Sequence, residues 1–442
     1  MAYVADLRTI LAERGFRRLF ATRLISQTGD GVYNAGFAAY AFFSATSFPN
    51  PAAAADAFAV LYLPYSLIGP FAGVFIDRWS RRQILVWSAL IRAGLVVVTA
   101  LLVGSGNLGL PLYISALTVL GVNRFFLSAL SAGLPHVVAQ DKLVMANSVA
   151  PTTGTIVGFI GGIVGLGVHL ATGGGHVGSA ATLLVGGVCY LLAGLAAATM
   201  RRDLLGPQGD QAALRARGIS RELAAVVGGL AAGARHLWDR RPAAYALGAI
   251  SSFRFLYGIL FVMTILLYRN YFYPSGNGNA ALGHLTLVVI TSALGYLAAA
   301  LITPSVTSRI AKTTWIAALL AAGGILEGLL GATFRQIPFL VTGFALGVVA
   351  QGVKICVDTT VQEYVADEYL GRVFSLYDML FNAALVLGAA ISAPFMPVDG
   401  KSYPLIAVVA LGYLVAAAGY AMLTRGQSRD AQQPSQPTPA RS

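Results

Sequence analysis

Gly73-Val-Phe-Ile-Asp77-Arg78-Trp-Ser-Arg81-Arg82 closes one long apolar run, opens another, and packs one acid and three arginines into six residues. The chain around it is 57% hydrophobic and only 11% charged. Soluble domains carry about 25% charged residues, and a single soluble core does not grow to 442 residues at this polarity. The cluster therefore marks a water-exposed corner between two membrane segments. The fold class is all-α, an integral membrane protein with many spans in contact with the lipid bilayer.

Outward from that corner, the rule of about 20 apolar residues per bilayer crossing predicts twelve spans. They lie at 19–43, 55–77, 83–103, 111–132, 148–171 and 178–200, then at 243–268, 281–303, 313–331, 337–357, 371–393 and 403–424. The organisation read from them is a cytoplasmic N-terminal segment (1–18) and a six-helix bundle (19–200). A linker (201–241), a second six-helix bundle (242–424) and a polar tail (425–442) rich in Gln, Pro and Ser follow. Within the linker, Ser220 to Trp238 reads as an amphipathic helix lying at the membrane surface. The basic N-terminal segment reads as a leader to the first span, not as a removable signal peptide.

Charge sets the orientation. With both termini cytoplasmic, 22 of the 30 Lys and Arg fall inside, three (Arg269, Arg335, Lys401) fall outside, and five lie within spans. The opposite orientation breaks the positive-inside rule. The net charge of +12 is thus spent on topology, and no basic face interleaved with aromatics points to nucleic acid. Cys189 and Cys356 sit in apolar runs and build neither a disulfide framework nor a metal site. No phosphate loop for ATP and no nucleophile-and-base constellation is present, so the chain is not read as an enzyme and needs no cofactor beyond a proton gradient.

A half-chain repeat runs through the sequence. At an offset of 227, Val138-Ala139, Leu143, Ser148 and Gly161 recur as Val365-Ala366, Leu370, Ser375 and Gly388; at 226, Leu120-Gly121-Val122 recurs as Leu346-Gly347-Val348. Two repeated six-helix halves are a transporter plan with the substrate held between them at mid-membrane.

The pattern Gly-x-x-x-Asp-Arg-x-x-Arg-Arg resembles the signature loop of the major facilitator superfamily, with Ser80 where that family usually has Gly. Gly371-Arg372-Val-Phe-Ser375, Ala146-Asn147-Ser148, Gly29-Asp30 and the helix ending in Trp238-Asp-Arg-Arg-Pro242 are similar to its bacterial drug and siderophore exporter branch. The resemblance implies a conformational gate made of Gly73, Asp77, Arg78, Arg81 and Arg82, with Asp77 meeting the start of the eleventh span at Leu370-Gly371-Arg372. The acid is poorly placed at the C-terminal end of its own helix, and the three arginines are near enough to hold it. Gly154, Gly158, Gly161, Gly162 and Gly165 resemble a glycine-rich antiporter motif, which implies close packing of the fifth span against the eighth.

Charge inside the spans carries the functional reading. Asp30, flanked by Gly29 and Gly31, must take up a proton or find a cation; the alternative, structural reading is a cytoplasm-side water cavity or an ion pair with Arg23. A carboxyl that gains and loses a proton is what a proton-coupled carrier requires. Arg124 matches the position of an arginine linked to proton transfer in the superfamily, whereas Arg92 reads as structural. Arg254 and Asp378 should face the central cavity or each other, with Tyr33, Asn34 and Tyr257 as further cavity candidates for a small amphiphilic substrate. Glu327 and Lys354 lie near span ends and are expected to snorkel to water. The combined reading is a monomeric, proton-coupled exporter of the bacterial cytoplasmic membrane. The alternatives are an importer with the same fold and a transport-inactive membrane scaffold.

Overall fold

The computed structural model describes residues 11–43, 51–52, 54–57, 59, 62, 71, 79–107, 109–139, 142–206, 219–273 and 278–425. Twelve helices of substantial length are found among them. They are α1 (Arg14–Phe43), α2 (Arg81–Gly104), α3 (Leu110–Gly133), α4 (Leu143–Ala171), α5 (Gly175–Ala198) and α6 (Ile219–Asp239). The others are α7 (Arg241–Leu266), α8 (Gly278–Thr307), α9 (Lys312–Leu330), α10 (Gln336–Tyr364), α11 (Asp367–Ser392) and α12 (Tyr403–Thr424). No strand occurs among the described residues.

Ten of these helices, all but α1 and α6, are long and apolar enough to cross a membrane. Each falls on one of the expected spans. The third to the twelfth expected spans are therefore accounted for, with ends that move by a few residues. The helix over the tenth span runs on to Tyr364 because backbone bonding continues through Thr359, Thr360 and Glu363 after the apolar run has ended. Over the first expected span, α1 is fully helical, but Gln27, Asp30 and Asn34 make it too polar to count on composition. The second expected span lies largely outside the described residues.

Local chemistry starts the helices where the sequence says it should. Pro111 and Pro242 stand in the first turns of α3 and α7, where a missing N–H costs nothing. Ser402 caps α12 by accepting from the Leu405 N–H at 3.3 Å. Large apolar side chains point outward all along the helices, Leu101, Leu301 and Val415 among them, each more than two-thirds exposed. In water that would be an aggregation surface; against lipid tails it costs nothing.

The chain divides into two compact units, Met1–Gly228 with Tyr268–Leu282, and Gly229–Leu267 with Gly283–Ser442. In the first, α1 packs on α4 and α5, and α2 on α3 and α5. In the second, α7 packs on α11 and α12, and α9 on α10 and α12. These principal packings correspond one to one, while α4 on α5 is added in the first unit and α7 on α10 in the second.

The register of the repeat is visible at the tightest crossings. A Cβ on Gly161 of α4 would stand 2.3 Å from the Thr28 carbonyl oxygen of α1, and a Cβ on Gly388 of α11 would stand 1.9 Å from that of Phe255 in α7. Likewise a Cβ on Gly31 would meet the Gly158 carbonyl at 2.0 Å, and one on Gly258 the Leu385 carbonyl at 2.1 Å. All four pairs of equivalent positions differ by 227. Only glycine allows backbones this close.

Candidate functional site

The glycines on either side of Asp30 explain how it is enclosed. At Gly29 the missing side chain admits α5, since a Cβ there would lie 2.9 Å from the Tyr190 ring; at Gly31 it admits α4. Asp30 is thereby held between helices, with its side chain 18% exposed.

Three side chains from three helices converge on its carboxylate. Arg92 of α2 donates to Oδ1 at 2.8 Å, Tyr190 of α5 donates to the same oxygen at 2.9 Å, and Asn123 of α3 donates to Oδ2 at 3.3 Å. The Arg92 guanidinium is wholly buried and donates also to Asn123 Oδ1 and to Ser26 Oγ, both at 2.6 Å. It lies 4.0 Å from the Tyr190 ring centre and 4.7 Å from that of Phe126. Ser26 and Asp30 are one turn apart on α1, so both ends of the guanidinium are tied to one face of that helix.

This corrects one expectation. The partner of Asp30 is Arg92, not Arg23, whose Nε instead donates to Gln27 one turn along α1 at 3.0 Å. Arg92 ties α2 to α1 as an ion pair and neutralises the one carboxylate in α1. Arg124 is half-buried, and it is its neighbour Asn123 that reaches Asp30. Tyr33 is fully buried, stacked with Phe37 and tilted against Tyr190, whereas Asn34 is exposed.

The glycine stripe of α4 faces α1. Gly154 lies against the Gln27 side chain, Gly158 and Gly161 against the backbone of α1 at Gln27 and Thr28, Gly162 against Gly31, and Gly165 against Val32 and Ala35. The stripe thus packs within the first unit, against the first span.

In the second unit the Arg254 guanidinium lies 4.0 Å from the Phe381 ring centre and 5.9 Å from that of Tyr257, and its Nε donates to the Phe381 carbonyl at 3.4 Å. Asp378 stands on the same helix three residues earlier and is exposed. Lys354 pairs with Asp358 one turn away on α10, both about one-third exposed, and its ammonium is 5.5 Å from the Tyr377 ring. Glu327 does not snorkel: it is 2% exposed. The turn after α9 (Gly331–Thr333) and the left-handed Phe334, packed edge-on against Tyr403, close over that end of the helix.

Of the gate residues, Gly73, Asp77 and Arg78 lie outside the described residues. Arg81 donates to the Ala132 and Leu205 carbonyls at 2.9 and 3.1 Å, and Arg82 to Ala198 at 2.7 Å. Ala132 and Ala198 are in the last turns of α3 and α5, where unsatisfied carbonyls favour cations. Gly371 and Arg372 are exposed in the first turns of α11. Beside them His236 of α6 stacks on Tyr369, with ring centres 4.3 Å apart, and accepts from the Ala366 N–H at 3.4 Å.

Asn123, Tyr190, Asp358 and the burial of Glu327 escaped the sequence reading. Asn123 had a signal, a second polar residue beside Arg124 in an apolar run. Tyr190 had none, since a tyrosine in a span is ordinary. Among the described residues no three His, Cys, Asp or Glu come together as a metal site would require.

Comparison with known proteins gives one consistent answer. The chain is 34% identical over 398 residues to the uncharacterized MFS-type transporter Rv0037c of Mycobacterium tuberculosis, covering 89% of this chain and 88% of that one. It is 24% identical over 385 residues to the uncharacterized MFS-type transporter YkuC of Bacillus subtilis, covering 86% and 85%. Among solved structures, the peptide transporter POT in complex with sulfate superposes with a TM-score of 0.68 at 14% identity, covering 94% of this chain and 95% of that one. A bacterial homolog of the human lysosomal transporter Spinster, inward-facing and unoccupied, gives 0.66 at 13%, covering 96% and 99%. Residues 19–389 match the Major Facilitator Superfamily. The chain therefore belongs to that superfamily, as a multi-pass membrane protein that moves small molecules by alternating access: a secondary transporter and not an enzyme.

Proposed function

We propose that the chain is a proton-coupled exporter of a small amphiphilic molecule in the bacterial cytoplasmic membrane, with both termini cytoplasmic. It has twelve spans in two six-helix bundles at 19–200 and 242–424, with α1 and the stretch 55–77 completing the first. Asn34, Arg254, Tyr257 and Asp378 contribute to the substrate cavity, and the 73–82 loop with Gly371 and Arg372 forms the gate.

The observation that carries this reading is the buried ion pair of Asp30 and Arg92. Both charges are stable in the interior only together, because each alone would keep its desolvation penalty without an opposite charge to offset it. A proton on Asp30 removes the carboxylate and leaves the Arg92 guanidinium buried as a lone cation. That state favours any rearrangement of α1 against α2 and α5 that lets water reach Arg92. By linkage, such a rearrangement in turn favours the proton. A proton can thus bias a two-state carrier through one pair of residues, while Asn123 and Tyr190 hold the carboxylate in place in the ionised state.

The test is transport in inverted vesicles under an imposed proton gradient. Asp30→Asn should abolish proton-driven uptake of amphiphilic dye while the protein still folds and reaches the membrane. Undiminished uptake would overturn the assignment. Uptake confined to right-side-out vesicles would replace export by import.

A further inference from the structure

Within the second unit a cavity of about 90 Å³ lies between α7, α8, α9 and α10. A water needs about 10–15 Å³ on the same measure, so there is room for several waters or one small head group. Its walls are mostly apolar, with Tyr257, Phe261 and Phe339 as the aromatic surfaces and Thr264, Ser292 and Thr342 as hydroxyls. One ionisable carboxyl reaches it, Glu327 of α9.

Glu327 is the most isolated charge in the protein's described interior. No hydrogen bond or ion pair among the described residues meets its carboxyl, although it is 2% exposed. The chain makes room for it: Oε1 rests over Gly331, where a Cβ would stand 2.4 Å away. The groups nearest to it on the packed helices leave it unneutralised. Tyr413 of α12, fully buried, donates its proton to the Phe253 carbonyl at 3.4 Å. Arg254 of α7 lies over the Phe381 ring and is not among the residues that line the cavity. The cavity-lining residues of α8 and α10 bring no charge.

A buried carboxylate without a partner is neutralised either by a proton or by a cation that enters beside it. A divalent ion is poorly matched, since the cavity's one carboxyl offsets only half of its charge and the remaining walls are mostly apolar, with hydroxyls from Tyr257, Thr264, Ser292 and Thr342. A weakly hydrated organic cation does fit, because aromatic faces attract it and apolar walls take its carbon surface. We propose that Glu327 and this cavity form a binding site for a small organic monocation of the alkylammonium type, which competes with a proton for the carboxyl. The inference deepens the transport reading by naming a cargo class, and it rests on that reading only for the step from bound ligand to cargo.

The experiment is calorimetric binding of tetraethylammonium to the purified full chain in detergent, from pH 8 to pH 5, with no gradient. Binding should weaken at least tenfold on acidification, and Glu327→Gln should weaken it at least tenfold at pH 8 and remove the pH dependence. Phe339→Ala should shift preference from tetraethylammonium to tetrapropylammonium, which tests the cavity even if the glutamine variant does not fold. No binding to the wild type, or binding unchanged in Glu327→Gln, overturns the site. Such a failure with Asp30-dependent transport intact leaves the transport reading standing; the reverse outcome removes that reading and keeps the site.

Discussion

The two units share a backbone plan and differ in what they do with charge. Their glycine crossings superpose at an offset of 227, as Gly31 on Gly258 and Gly161 on Gly388. At that same offset Ser26, Asp30, Arg92 and Tyr190 of the Asp30 network fall on Phe253, Tyr257, Leu319 and Ala417, and at the offset of 226 that relates Leu120-Gly121-Val122 to Leu346-Gly347-Val348 the fifth member, Asn123, falls on Val349. None of those five carries a charge. The first unit ties its buried acid and its most buried arginine, Asp30 and Arg92, into one shared network, with Arg23 and Arg124 outside it. The second spreads its charges over Arg254, the one-third exposed Lys354–Asp358 pair, the exposed Asp378 and the solitary Glu327. Small residues at helix crossings set the frame in both halves, whereas the polar chemistry belongs to each half separately. A proton site in one unit and a cargo site in the other is a division of labour that this asymmetry permits.

The largest expected effect lies in the buried network. Arg92→Ala leaves the Asp30 carboxylate enclosed without its cation, a change that costs about 3–5 kcal/mol when a buried pair is broken from one side. Thermal unfolding in detergent should show a large loss for Arg92→Ala and a much smaller one for the double variant with Asp30→Asn, since the double change removes the orphaned charge. Equal, additive losses would mean that the two residues do not act as a pair.

The next effect tests what the units share. Gly161→Ala and Gly388→Ala each drive a methyl group into a facing carbonyl, so both should lose about 1–3 kcal/mol or more through forced separation of the helices. Gly167→Ala in the same helix α4 meets open space and should be neutral or slightly stabilising, because alanine is the better helix former. A tolerated Gly388→Ala beside a damaging Gly161→Ala would break the equivalence of the two frames.

These crossings show how far the sequence could be read. The spans were legible because bilayer thickness demands a run length that few other constraints imitate. The repeat was legible at Gly161 and Gly388, but their contacts at Thr28 and Phe255 were not, since a backbone carbonyl leaves no mark on residue identity. Asp30 stood out as a lone acid in the first span. Its partner did not, because Arg23 lies seven residues away on the same helix while Arg92 arrives from a helix whose rotation about its axis the sequence does not specify. Glu327 was misread for a related reason. Distance from the end of an apolar run says nothing of whether a turn such as Gly331–Phe334 folds back over that end. The 73–78 half of the motif that first identified the fold lies outside the described residues, and its remaining arginines turn out to hold helix ends.

The smallest effect is expected at the second unit's own ion pair. Lys354 and Asp358 are one turn apart on α10 and about one-third exposed, so water screens them and solvates whichever partner is left behind. Pairs of this kind contribute about 0–1 kcal/mol. Lys354→Met keeps the aliphatic stem against Tyr377 and removes only the charge, so unfolding should shift by less than 1 kcal/mol, and added salt should shrink the difference further. The contrast with Arg92→Ala is the point of the measurement. If Lys354→Met costs as much, the second unit also keeps an essential buried pair, and the two halves differ in sequence position but not in how they handle charge. If it costs as little as expected, the strong electrostatic coupling is confined to the first unit, and among the described residues of the second Glu327 is the one deeply buried charge whose neutralisation is left to a ligand or a proton.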